Sequence, residues 1–239
     1  MDDVLLHTAF DVLAWVAAAG ALWWVSRSGL VAVPAAAADL AYMAAVLVGA
    51  GIGACVFGTA NLWLSGRSGV ARSIEGAIAG GIVAVELYKR LRGIRVRTGA
   101  RFALPLAVGV AVGRIGCYLS GLDDFTYGTP TALPWGHDFG DGIPRHPVQL
   151  YESAAMAAFA LVYAIEVRRR NAFVVDNGFY LAVGWYAAQR FLWEFLKPYA
   201  PLVGPFTLFH LLSAAIVAYA AFMIVTASRA RTADDRAFA

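Results

Sequence analysis

Seven long apolar segments constrain this chain more than any other feature of its sequence. A helix needs about 20 mainly apolar residues to cross the hydrocarbon core of a bilayer, which is roughly 30 Å thick. The segments that meet this need span residues 4–25, 38–62, 74–90, 100–121, 148–167, 177–197 and 204–227. The third is the shortest of them and is rich in Gly and Ala. We therefore predict an all-α integral membrane protein with seven transmembrane helices.

Composition supports this prediction. Of the 239 residues, 60% are hydrophobic and 15% are charged, whereas a soluble domain has about 25% charged residues. The basic excess is small, 19 Lys and Arg against 16 Asp and Glu, and gives no reason to expect a nucleic-acid partner. The two cysteines, Cys55 and Cys117, lie in apolar stretches. We therefore expect no disulfide framework, no metal site and no cofactor.

The distribution of Lys and Arg predicts how the chain is oriented, because cytoplasmic loops retain basic residues. With the N-terminus outside, the inner side carries 13 of these residues and the outer side carries 4. The bias predicts an outer N-terminus and a cytoplasmic C-terminus. We expect one membrane domain, residues 1–228, with a short outer loop at 122–147 and a cytoplasmic tail at 229–239. The loop is rich in Gly, Pro, Asp and aromatic residues, which predicts an ordered conformation.

Ionisable residues inside the predicted spans are costly and usually face a polar interior. They are Asp11, Glu75, Glu86, Arg114, Glu152, Arg190 and Glu194. All but Asp11 and Glu86 gather toward the outer ends of their segments, and Arg190 and Glu194 have the i, i+4 spacing of a helical ion pair. Two interpretations remain open: ion pairs that hold helices together, or a site where arginine grips an anionic headgroup. For Asp11, a buried pair and a polar cavity are both open.

Motifs near these charges favour the second interpretation. Gly-Arg-Ile-Gly-Cys-Tyr-Leu-Ser-Gly ends the fourth segment at 113–121, and Tyr-Gly-Thr-Pro follows at 127–130. Arg-His-Pro-Val-Gln-Leu-Tyr-Glu occupies 145–152, and Arg-Phe-Leu-Trp-Glu-Phe occupies 190–195. Together they resemble the phosphatidylglycerol–prolipoprotein diacylglyceryl transferases, whose signature joins Gly-Arg-x-Gly to His-Pro-x-Gln-Leu-Tyr-Glu. Seven spans with an outer N-terminus also match that family.

The resemblance implies a function in the bacterial cytoplasmic membrane. Members of that family transfer the diacylglyceryl group of phosphatidylglycerol to the cysteine thiol of a lipobox-containing preprotein, and glycerol 1-phosphate leaves. Such a reaction needs a cation that holds the phosphate and a base that takes the thiol proton. Arg114 and Arg190 match the two arginines at the family's phosphate site. We expect phosphatidylglycerol or a related phospholipid as one partner and a lipobox preprotein as the other.

The sequence departs from the family pattern on the acceptor side. In the family a histidine that is a candidate base begins the third span, but here that position is Glu75. The asparagine after Gly-Arg-x-Gly is Cys117, and an arginine of the second span is Cys55. Glu75 could act as the base if a low-dielectric site raises its proton affinity, or it could be a counter-ion for Arg114 or Arg190.

These arguments give a set of candidate site residues. Three are candidate catalytic residues: Glu75, Arg114 and Arg190. The candidate substrate-binding residues are Gly113, Gly116, Gln149, Tyr151, Glu152 and Glu194. The glycines would let a helix or a headgroup approach the backbone. The leading hypothesis is the family's own reaction. Two others remain: a relative that uses the same lipid donor with another acceptor, and a lipid-binding protein without catalysis.

Overall fold

Seven α-helices form the part of the chain that the computed structural model describes, residues 3–32 and 34–237. They are α1 (Asp3–Ser28), α2 (Leu40–Leu64), α3 (Ile74–Leu91), α4 (Ala103–Leu119), α5 (Val148–Arg168), α6 (Ala172–Glu194) and α7 (Leu208–Ala237). Each predicted apolar segment overlaps one of them. The predicted bounds differ most at α6, which begins five residues before 177 and ends before 197, and at α7, which continues into the predicted tail.

Five stretches of the described chain are long and apolar enough to cross a membrane: Leu6–Ser28, Leu40–Leu64, Ala100–Leu119, Val148–Arg168 and Leu208–Thr226. Helices α3 and α6 are not among them. Helix α3 has four charged residues in its 18, and α6 has three in its 23. The prediction of an all-helical protein with membrane-spanning helices is confirmed to this extent, while the count of seven spans stays a prediction.

Helices α2 and α3 pack with their backbones in contact. A methyl group on Gly53 of α2 would lie 2.2 Å from the carbonyl oxygen of Gly76 in α3, and one on Gly80 would lie 2.2 Å from that of Gly49. Only glycine permits such an approach, which is common between membrane helices. The small residues of the third apolar segment therefore allow its close packing against the second.

Helix α1 runs antiparallel along α4. A methyl group on Gly116 of α4 would lie 2.6 Å from the β-carbon of Phe10, and one on Gly109 would lie 3.4 Å from that of Ala18. On its other side α4 packs against α5, where the Ser153 hydroxyl donates to the carbonyl oxygen of Ala111 at 2.6 Å. The described core continues between α5 and α6, where the side chains of Met156, Val183 and Tyr186 are fully buried.

Two short hairpins lie at one end of the bundle. Strands β1 (His137–Asp138) and β2 (Pro144–Arg145) pair within the segment between α4 and α5, and β3 (Pro201–Val203) pairs with β4 (Phe206–Thr207) between α6 and α7. The two segments are joined, since the Thr129 amide donates to the carbonyl oxygen of Leu196 at 2.6 Å. We call this end, residues 120–147 and 195–207, the loop end.

An apolar cavity of about 580 Å³ separates the α1–α4 pair from the α2–α3 pair. Asp11, Ile74 and Gly113 line it toward the loop end, and Lys89 and Thr98 line its opposite end. The cavity therefore runs along most of the length of the bundle.

Candidate functional site

Local structure brings the predicted site residues to the loop end. The Ser73 hydroxyl caps α3 by accepting a hydrogen bond from the Gly76 amide at 3.1 Å, so Glu75 lies in the first turn. Gln149 and Glu152 lie in the first two turns of α5. Arg114 lies near the end of α4, and Arg190 and Glu194 lie near the end of α6. Four helices thus deliver charged side chains to one region.

Arg190 is held by three carboxylates. Its Nε lies 3.4 Å from Oε2 of Glu75, its Nη1 lies 2.7 Å from Oε1 of Glu152, and its Nη2 lies 2.7 Å from Oε2 of Glu194. All four side chains are buried, and none is more than 3% exposed. The contact with Glu194 confirms the i, i+4 pair expected from sequence. Each guanidinium nitrogen of Arg190 already faces an acceptor.

Arg114 has a different environment. Its Nε pairs with Oε2 of Glu152, so the two arginines share one carboxylate. Its Nη1 contacts only the sulfur of Cys117 within the described residues, at 3.8 Å, and a thiol is a weak acceptor. The adjacent Gly113 lines the apolar cavity. Arg114 therefore keeps donors for a further anion, which Arg190 does not.

Sequence reasoning missed a third cation, Lys197. Its side chain is fully buried, with Nζ 3.4 Å from Oε1 of Glu152 and donating to the carbonyl oxygen of Thr126 at 2.5 Å. The distribution of basic residues in the sequence places it among the four on the outer side. Its position seven residues after Arg190 was the available signal, because seven residues make about two helical turns. With Arg114 and Arg190 it balances the charges of Glu75, Glu152 and Glu194.

Two hydroxyl groups complete this charged cluster. Ser213 of α7 donates to Oε1 of Glu75 at 2.5 Å, and Thr207 donates to Oε1 of Glu194 at 2.6 Å. Neither residue could be found from sequence, since a single hydroxyl forms no pattern. Between the two roles left open for Glu75, this geometry favours the counter-ion, and it names Arg190 as the partner.

Gln149 is buried without a hydrogen-bond partner. Its side chain is fully buried, and neither its Oε1 nor its Nε2 has a partner in the described part of the chain. The amide of Gln189 and the hydroxyl of Tyr186, both on α6, are also buried and unpaired there. Because a buried polar group without a partner costs about 1–3 kcal/mol, these groups fit a site that receives a polar ligand.

The other candidate residues take different positions. Gly116 lies against Phe10 at the α1–α4 contact. Tyr151 faces the loop, where its hydroxyl accepts a hydrogen bond from the Trp135 indole at 2.8 Å. Gly116 and Tyr151 contribute to packing, whereas Gly113 reaches the cavity. Both cysteines are free, and Cys55 is exposed rather than buried.

The loop between α4 and α5 is fixed by its own charges. Both terminal nitrogens of Arg145 donate to the carboxylate of Asp141, at 2.6 and 2.7 Å. These hydrogen bonds hold the pKa of Asp141 below its usual range. The Arg145 guanidinium also lies over the ring of Tyr127, 5.2 Å from its centroid. The ordered loop predicted from composition is present and covers the charged cluster through Thr126.

Comparison with known proteins agrees with the resemblance in the motifs. A family model described as prolipoprotein diacylglyceryl transferase matches residues 9–226 of the chain. The chain belongs to the prolipoprotein diacylglyceryl transferase family. The match covers all the charged residues of the cluster. It includes Glu75, so this member of the family has a glutamate at the position where the family has a histidine.

Curated relatives carry the name phosphatidylglycerol–prolipoprotein diacylglyceryl transferase. One from Geobacter sulfurreducens is 36% identical over 166 residues, which are 66% of this chain and 62% of the relative. One from Bordetella parapertussis is 35% identical over 57% of this chain and 50% of the relative, and one from Nitratidesulfovibrio vulgaris is 34% identical over 60% and 52%. The matches thus span between half and five-eighths of these relatives. No solved structure matches the chain.

Proposed function

We propose that the protein transfers the diacylglyceryl group of phosphatidylglycerol to the cysteine thiol of a lipobox-containing preprotein. One observation carries the proposal: Arg114 has unused donors, and the residue before it, Gly113, lines the loop end of an apolar cavity that runs along the bundle. Membership of the family, whose relatives are named for this reaction, supports it.

Arg114 is the residue that holds the phosphate. Arginine offers a planar fork that fits two phosphate oxygens, and Arg114 is fixed by Glu152 on one side only. As the carbon–oxygen bond breaks, negative charge grows on the phosphate of the leaving glycerol 1-phosphate. A cation already in place stabilises that charge without reorganisation.

Arg190 and Lys197 act through Glu152. Both contact its Oε1, at 2.7 and 3.4 Å, while Arg114 contacts its Oε2. Their positive charges offset the negative charge of Glu152. The Glu152 carboxylate therefore competes only weakly with an arriving phosphate for Arg114. Arg190, with its three carboxylates, is then a positioning residue, and Glu75 and Glu194 are its counter-ions.

The remaining parts of the lipid match the surroundings of Arg114. Acyl chains fit the apolar cavity, which reaches from Gly113 to Lys89. The unpaired Gln149 amide offers a donor and an acceptor to the glycerol hydroxyls. This arrangement places the headgroup at the loop end and the chains along the helices.

The orientation that fits this reaction has the loop end outside. Lys89, Arg90 and Arg92 then lie on the cytoplasmic side with most of the other basic residues. We place the protein in the cytoplasmic membrane of a bacterium, with seven spans, an outer N-terminus and a cytoplasmic C-terminus. The charged helices α3 and α6 cross as part of the bundle because Glu75, Arg190 and Glu194 pair inside it.

The direct test combines the purified protein, phosphatidylglycerol and a lipobox peptide. Mass spectrometry should detect a peptide that carries a diacylglyceryl thioether, together with released glycerol phosphate. The same reaction with the peptide's cysteine changed to alanine should give neither product. Lipid turnover without a modified peptide would show a different acceptor, and the absence of any turnover would show binding without catalysis. Either result would contradict the proposal.

A further inference from the structure

A second group of polar side chains lies at the loop end, outside the cluster around Glu152. Nδ1 of His7 lies 2.6 Å from the hydroxyl oxygen of Ser120, and its Nε2 lies 3.6 Å from Oδ2 of Asp11. His7 and Asp11 are one helical turn apart on α1, and Ser120 directly follows the last residue of α4. None of the three has a part in the steps above.

Hydrogen bonding assigns the tautomer of His7. The Ser120 hydroxyl donates to the carbonyl oxygen of Gly116 at 2.9 Å, so its proton is already used. We therefore assign the proton of His7 to Nδ1, which donates to Ser120, since a neutral imidazole has one donor and one acceptor. Nε2 is left with an open lone pair. Asp11 is too far from it for a hydrogen bond but close enough to stabilise a protonated ring.

Accessibility separates His7 from Glu75. The His7 side chain is 29% exposed and that of Asp11 is 51% exposed, whereas Glu75 is 1% exposed and engaged by Arg190 and Ser213. A half-exposed carboxylate within a membrane helix is costly and suggests a functional role. Asp11 also lines the loop end of the apolar cavity. An acceptor thiol can therefore approach His7 and not Glu75.

The position of His7 also fits the reaction. Ser120, which directly follows α4, is six residues after Arg114, a rise of about 9 Å at the helical rise per residue. Gly113, which precedes Arg114, and Asp11, one turn after His7, line the same end of the cavity, so the arginine and the histidine both lie beside that end of the lipid site.

We propose that His7, supported by Asp11 and Ser120, is the base that takes the proton of the acceptor thiol. The inference rests on the proposed function. The thiol proton moves to Nε2, the sulfur forms a bond to the glycerol carbon, and the bond from that carbon to the phosphate oxygen breaks. The electron pair leaves with glycerol 1-phosphate, and the imidazolium then returns its proton to that phosphate or to water.

The test uses two lipobox peptides, one with cysteine and one with selenocysteine, whose selenol is ionised at neutral pH and needs no base. His7→Asn keeps a donor near Ser120 but removes Nε2. We expect it to slow transfer to the cysteine peptide by about 100-fold or more, the usual size of a lost general base. Transfer to the selenocysteine peptide should fall less than threefold. Asp11→Asn should show the same contrast with a smaller loss.

His137→Asn is the matched control, because His137 is also at the loop end but packs its ring against those of Tyr118 and Phe139. It should leave both rates within about twofold of wild type. An unaffected His7→Asn enzyme, or equal losses with both peptides, would overturn the role of His7 while leaving the transferase intact. A wild-type protein inactive with both peptides would overturn the proposed function and this inference with it.

Discussion

Arg114 and Arg190 carry the same charge but differ in what surrounds them. Arg190 meets three carboxylates, whereas Arg114 meets one carboxylate and a sulfur. A buried charge that loses its partner destabilises a protein by about 3–5 kcal/mol. The number of partners therefore separates a residue that maintains the site from one that is available to a substrate.

A pair of substitutions tests this difference. Arg114→Gln leaves Glu152 with two cations, so we expect transfer to be lost and the melting temperature in detergent to change little. Arg190→Gln leaves Glu75 and Glu194 without a cation, so we expect loss of transfer and destabilisation by about 3–5 kcal/mol. Thermal unfolding measures the stability of each variant, and the transfer assay measures its activity. Equal stability of the two variants would contradict the assignment.

Lys197 gives a second residue-level prediction. Lys197→Met removes one of the charges that neutralise Glu152, so Glu152 competes better for Arg114. We expect KM for phosphatidylglycerol to rise about tenfold, equivalent to about 1.4 kcal/mol, with a smaller change in kcat.

Lys89→Met is its control. Lys89 is also buried and pairs with a glutamate, Glu86, at 3.2 Å, but at the opposite end of the cavity. It should affect stability without raising KM for the lipid as strongly. Similar KM increases in the two variants would mean that buried lysines act only through general stability.

At the scale of elements, the glycine contact between α2 and α3 fixes where Glu75 lies. The contact sets the rotation and depth of α3, and Glu75 is one residue from Gly76 in that contact. Because overpacking costs about 1–3 kcal/mol, disturbing the contact should also disturb the charged cluster.

Gly53→Ala tests this coupling. Its new methyl would lie 2.2 Å from the Gly76 carbonyl oxygen, whereas one on Gly51 would meet nothing within 4 Å. We expect Gly53→Ala to lower both the melting temperature and the transfer rate, and Gly51→Ala, two residues away on α2, to change neither. Thermal scans give the melting temperatures, and activity measurements on the same variants give the transfer rates. A fully stable Gly53→Ala enzyme would contradict the packing argument.

At the scale of the whole molecule, the charge bias and the cavity point to one orientation. Helix α1 antiparallel to α4, and both hairpins at the loop end, place the segment 120–147 opposite the basic segment 89–101. In the proposed orientation the headgroup region opens to the outside, where the proposed preprotein substrate would present its cysteine.

Cysteine labelling tests the orientation. Trp135 in the loop is 57% exposed, and Arg92 at the end of α3 is also exposed. A membrane-impermeant maleimide on intact cells should label Trp135→Cys and spare Arg92→Cys, and should label both after lysis. The unsubstituted chain, with Cys55 and Cys117, sets the background. The reverse pattern would invert the topology.

Periodic and repeated features were predictable from the sequence. The number and approximate positions of the helices follow from apolar length, because a bilayer requires that length. The motif residues Arg114, Glu152 and Arg190 could be named because their spacing is that of a known family. Ser213 could not, because it is a lone hydroxyl. Lys197 lies after its helix, and only its seven-residue spacing from Arg190 pointed to it.

By itself the sequence determined a helical membrane protein with a few charges gathered at one end, because both properties depend on residue type and linear position. The tertiary structure decided which charges meet. It gave Arg190 three acceptors, left Arg114 available, buried Glu75, and brought His7 to Ser120, 113 residues away. These contacts depend on how α1 and α6 pack against α4 and α5. The rotation and depth of each helix are set by contacts between segments that are far apart in the chain.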